Sequence, residues 1–112
     1  METVKLNITR NSAFVAAGMP YRILINGREL LRIANGKTAS IDIPKQQSTL
    51  TVSMVGNSLN IHKIEKEVTL FPNNAQNGIV NCVISTKANA LGVFTSGLFK
   101  SMADLEVQVE YL

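Results

Sequence analysis

A thiol becomes a nucleophile when a neighbouring base takes its proton, and the chain holds one residue of each kind, Cys82 and His62. The surroundings of Cys82 argue against that chemistry. It stands between Asn81 and Val83 in the apolar run 79–85, where a free cysteine packs as a small hydrophobe. A reactive thiol needs partial exposure and nearby positive charge. His62, Glu65 and Glu67 are close in sequence, but a strand puts His62 and Glu65 on opposite faces. A structural zinc site takes four nitrogen or sulfur ligands, and only His62 and Cys82 could supply them. Asp42, Asp104, Glu106 and Glu110 are scattered, and the last two alternate as the solvent side of a strand would. Each glycine stands singly, which leaves no phosphate-cradling loop. No catalytic, metal or cofactor residue is assigned. The expectation is a protein that is not an enzyme.

Binding is the remaining class. Arg22, Arg28, Arg32 and Lys37 crowd into one stretch beside Tyr21 and could form an anion-binding or glycan-binding face. Nucleic-acid recognition on single strands adds stacking aromatics to such a face. With six aromatic residues and no Trp, nucleic acid is not the expected partner. Residues 71–99 are more informative, because Lys87 is their only charge. A small domain exposes much of its surface, so such a stretch is buried or faces a partner. Val93, Phe94, Leu98 and Phe99 are the candidate contact patch, for a protein partner or for self-association. The alternative is that they cap an open end of the fold.

The elements that would position these residues follow from composition and period. A chain of 112 residues with 46% apolar and 17% charged residues can bury a core as one domain without disulfides. The net charge of +3 is uneven: over residues 1–63 eight Lys or Arg face three carboxylates, and beyond that three face five. Residues 1–10 alternate charged and apolar side chains, which is a strand pattern and not that of a signal peptide, so a cytoplasmic location is the default. No run is long and apolar enough for a transmembrane segment.

Strand signals recur along the whole chain. Val4, Leu6 and Ile8 alternate with Lys5, Asn7 and Thr9. After a loop in which Phe14 and Val15 could tuck inward, Tyr21, Ile23 and Ile25 share one face. Asn26-Gly27 and Asn35-Gly36 then predict two type I′ hairpins joining four antiparallel strands over 20–55. Leu31 with Ile33, then Ala39 with Ile41 and Ile43, then Leu50 with Val52 and Met54 mark the inward faces, and Pro44 closes the third strand. Val68 and Leu70 fit a strand over the second half of 61–70, with Lys66 out of place. The run 79–85 reads as a central strand buried on both faces. Leu105, Val107, Val109 and Tyr111 face inward on the last strand. Between them, Gly92 and Gly97 weaken a helical stripe of Ala88, Leu91, Phe94 and Leu98, which allows one short helix near 88–100. The fold class is all-β: an immunoglobulin-like antiparallel β-sandwich of seven to eight strands.

Residues 20–55, with Ile25-Asn26-Gly27, Leu31-x-Ile33-x-Asn35-Gly36, Ile41-x-Ile43-Pro44 and Leu50-x-Val52, resemble PEGA-like and related small bacterial β-sandwich domains. That group usually carries Pro-Gly-His after its third strand, whereas Pro44 here is followed by Lys45-Gln46-Gln47. The resemblance implies an accessory module of a bacterial or phage surface, membrane or secreted protein, with a structural or protein-interaction role.

Overall fold

The computed structural model describes residues 2–12, 20–54, 65–88 and 103–112. Among them lie eight strands: β1 (Thr3–Arg10), β2 (Tyr21–Ile25), β3 (Arg28–Ile33), β4 (Thr38–Pro44), β5 (Ser48–Met54), β6 (Glu65–Leu70), β7 (Ile79–Ala88) and β8 (Ala103–Tyr111). They form two four-stranded sheets, ordered β4-β1-β7-β8 and β3-β2-β5-β6. Period-two side chains from both sheets meet in one core. Val4, Leu6, Ile8, Ile43, Val80, Cys82 and Ile84 come from the first sheet. Tyr21, Ile23, Ile25, Ile33, Leu50, Val52 and Leu70 come from the second. Each fully buried aliphatic side chain among them contributes roughly 1.5–3 kcal/mol. The chain is an all-β sandwich, and the inward faces follow the alternation.

The first Asn-Gly turn is the hairpin its residues predict. Asn26 and Gly27 both have positive φ, 52° and 82°, and β2 pairs antiparallel with β3. Asn26 also ties the turn to β5. Its N–H donates to the Thr49 carbonyl at 2.8 Å, and its Oδ1 accepts from the Thr49 N–H at 2.9 Å.

The second Asn-Gly turn is not a hairpin. β3 and β4 lie in different sheets, so the turn carries the chain from one layer to the other. Only Gly36 has positive φ, and the Lys37 N–H donates to the Ala34 carbonyl at 3.1 Å. That is the requirement of a type II turn with glycine third. A Cβ on Gly36 would stand 2.6 Å from Ser12 Oγ, a second reason for glycine there. β4 pairs with β1, and β2 takes β5 as its other neighbour.

Pairing is not wholly antiparallel either. β1 and β7 run parallel, with Lys5 to Arg10 opposite Ile79 to Ile84. A parallel pair needs a long crossover, and all of β2 to β6 lies between them. In the constant-type immunoglobulin arrangement the first two strands share a sheet; here β1 and β2 lie in opposite sheets. β7 is central, as its apolar run suggests, but only one face is fully buried: Asn81 and Val83 point outward and are half-buried. The loop before it folds as a 3-10 turn at Pro72–Asn74, with Pro72 and Ala75 buried. Phe14, Val15 and the helix allowed near 88–100 lie outside the described residues, apart from Ala88, which ends β7.

Edge strands carry their own protection. In β3 a register shift sets Leu31 opposite Ile23 and Glu29 opposite Leu24, which leaves Leu30 as an extra, exposed residue. Such a bulge bends an edge and discourages further pairing. Lys66, out of place in the strand pattern, lies opposite Val52 on the inward side of edge strand β6. An inward-facing charge on an edge strand is another way to block pairing with a foreign strand.

Candidate functional site

The basic stretch is divided by the fold. Arg22 and Arg32 are direct cross-strand partners on the outer face of the hairpin. Glu29 stands between them, with Oε1 3.8 Å from Arg22 Nε and Oε2 3.5 Å from Arg32 Nε. Arg28 would share their face by simple alternation, but the Leu30 bulge shifts the phase and pairs it with Ile25, on the inward side. Lys37 lies beyond the far end of β3, at the turn between layers. The same outer face also carries Glu65 and Glu67 on β6, opposite Ser53 and Thr51. Arg22 and Arg32 are therefore brought together with a carboxylate. Arg28 and Lys37 are not part of that group.

Cys82 sits on the inward face of β7 and is 1% exposed. Burial pushes its thiol up to about 12, because a thiolate there would lose its hydration. His62 lies outside the described residues, as do Val93, Phe94, Leu98 and Phe99. Among the described residues no three of His, Cys, Asp and Glu gather in metal-binding geometry, and no helix is long and apolar enough to cross a membrane.

A further polar group lies inside the core. Arg10 continues the inward series Val4, Leu6, Ile8 and is fully buried. Its guanidinium carbon lies 3.7 Å from the centre of the Tyr21 ring, and Nη1 donates to the Ile33 carbonyl at 3.0 Å. The Tyr21 hydroxyl is 2.8 Å from Thr86 Oγ1. Two residues of each sheet thus form one polar cross-link. Desolvation lowers the Arg10 pKa from its ordinary value, and a charge interaction and a hydrogen bond with Tyr21 oppose that shift. The signal was present in the sequence, since the phase of β1 already points Arg10 inward.

The outer face of β4-β1-β7-β8 gathers mostly polar side chains in cross-strand rows. Ser40, Asn7, Asn81 and Glu110 are successive cross-strand partners, and so are Thr38, Thr9, Val83 and Gln108. The Ser40 hydroxyl donates to Asn7 Oδ1 at 2.6 Å, and Asn7 Nδ2 donates to Asn81 Oδ1 at 3.0 Å. Thr38 donates to Thr9 at 3.3 Å, and Gln108 Nε2 to Glu106 Oε1 at 2.9 Å. These rows line an open concavity of about 670 Å³. Nothing in the sequence marked the face, because Asn7 and Asn81 become neighbours only through the parallel pair. No family model matches the chain, and neither the curated proteins nor the solved structures contain a match to it.

Proposed function

We propose that the chain is a non-catalytic β-sandwich module that works by contact, with a protein partner or with a second copy of itself. The observation that carries this reading is the placement of Cys82. The one thiol is enclosed in the core and held protonated, the reverse of what a nucleophile requires. The two arginines that meet on the hairpin are tied to Glu29, which weakens the case for an anionic ligand there. Contact through 93–99 remains the sequence-based part of the proposal, resting on the apolar character of Val93, Phe94, Leu98 and Phe99. We extend the proposal to an immunoglobulin-like accessory domain of bacterial or phage origin, supported by the two packed layers and by the PEGA-like pattern over 20–55.

Light scattering on wild type and Phe94→Asp tests the contact reading. The expected result is a wild-type dimer or larger species that the substitution converts to a folded monomer. A wild-type monomer, with no loss of folding in the variant, would remove self-association through this segment. Turnover of a hydrolase substrate panel by the purified protein would overturn the non-catalytic reading itself.

A further inference from the structure

The polar rows on the outer face of β4-β1-β7-β8 differ from an ordinary solvated sheet surface. Such surfaces usually carry long charged side chains that move independently. Here the central residues are short and bonded to one another across three strands, from Ser40 through Asn7 to Asn81. Each donor in that chain points from β4 towards β8. The last member, Asn81, accepts through Oδ1 on the β1 side, which turns its Nδ2 away from β1. Among the described residues that Nδ2 donates to nothing, and the Glu110 carboxylate opposite it in register takes no hydrogen bond or ion pair. A fixed amide donor thus stands beside a free carboxylate acceptor, at the edge of a concavity whose 670 Å³ falls within the range of about 300–1,000 Å³ usual for small-ligand sites. Thr9 and Thr38 add hydroxyls on one side, and half-buried Val83 adds an apolar floor.

We propose that this face binds a neutral, hydroxyl-rich ligand, an oligosaccharide, with Asn81 donating to a sugar oxygen and Glu110 accepting from sugar hydroxyls. The chemistry selects that class. A carboxylate accepts from two neighbouring hydroxyls at once, and an amide whose orientation is already set loses little freedom on binding. Among the described residues no cation lines the concavity, so a phosphate or sulfate polymer would meet Glu110 without compensation from them. The proposal rests on the non-catalytic reading above and supplies a ligand class for it.

Titration of the isotope-labelled protein with maltohexaose, cellohexaose and chitohexaose, followed through backbone amide shifts, tests the site. A heparin hexasaccharide serves as the anionic comparison. The expected result is saturable shifts at residues 7, 9, 81, 83, 108 and 110 with at least one neutral probe, at a Kd of about 1 mM or tighter. Asn81→Ala and Glu110→Gln should each weaken binding about tenfold; Glu110→Gln should leave the unfolding midpoint nearly unchanged, whereas Asn81→Ala also removes the bond from Asn7 and should lower it slightly. The site is overturned if no neutral probe shifts these residues at about 10 mM, if both variants bind as wild type does, or if heparin occupies the face instead. Shifts on this face that follow protein concentration without sugar would also overturn it, in favour of a second copy. Cleavage of a bound probe would sink the non-catalytic reading and leave the site standing, so the two failures are distinct.

Discussion

Arg10 lies face-on against Tyr21, its guanidinium carbon 3.7 Å from the ring centre, although the two residues belong to opposite sheets. The cation is fully buried, and one of its nitrogens is bonded to the Ile33 carbonyl. A desolvated cation–π contact is worth about 2 kcal/mol, and a buried carbonyl left without its donor costs about 1–3 kcal/mol more. Arg10→Ala is therefore expected to lower stability by roughly 3 kcal/mol, read as a fall in the urea midpoint at an unchanged slope. Tyr21→Phe, which keeps the ring under Arg10 and removes the hydroxyl's bond to Thr86, should cost about 1 kcal/mol. Equal losses in the two variants would show that the hydroxyl, and not the stacked cation, holds the sheets together.

Cys82 makes stability pH-dependent on the alkaline side. Its thiol is raised from 9.0 to about 12 in the fold, so the native chain keeps a proton that the unfolded chain releases. The contribution is fully present below pH 9 and is lost as pH rises towards 12, with a slope approaching 1.4 kcal/mol per pH unit. Between pH 9 and 10.5 wild type should lose stability faster than Cys82→Ala. At neutral pH an alkylating reagent should label the thiol only as denaturant opens the fold. Rapid labelling of the native protein would contradict the buried position.

Glu29 is the carboxylate that keeps Arg22 and Arg32 side by side. Both ion pairs are partly exposed and longer than a good hydrogen bond, so each contributes little to stability. Glu29→Gln should change stability by no more than about 0.5 kcal/mol. It should nonetheless delay elution from heparin to higher salt, because Arg22 and Arg32 would then lose the carboxylate they share. An unchanged elution would mean that this pair is not reached by polyanions at all.

Lys66 is predicted to protect solubility, its side chain exposed at the rim of the inward face. It takes an inward position opposite Val52, beside Val68 and Leu70 on the same side of β6. Lys66→Val should leave the fold intact and make the protein associate with increasing concentration, measured by light scattering. A variant as monodisperse as wild type would show that the edge of β6 needs no such guard.

The parts of the fold legible in the sequence share one property: they depend on neighbours along the chain. Inward faces at Val4, Leu6 and Ile8 or at Tyr21, Ile23 and Ile25 follow from the pleat, which repeats every two residues. Asn26-Gly27 announces its hairpin because both residues tolerate positive φ. Asn35-Gly36 looks the same in one dimension and turns a different corner, since Asn35 keeps a negative φ there. The candidate site was less legible. Simple alternation groups Arg28 with Arg32, and one bulged residue, Leu30, separates them.

By itself the sequence determined which residues face inward, where several strands begin and end, that Pro44 closes β4, and that Cys82 belongs to the core. Tertiary structure alone decided which strands become neighbours. A period of two chooses a face but carries no information about a partner, because every extended segment offers the same backbone donors and acceptors. Partner choice depends on how two amphipathic layers close over one another, and that set β1 parallel to β7. Asn7 thereby meets Asn81, Arg10 meets Tyr21 across the core, and the polar face acquires a geometry that no local stretch of the chain describes.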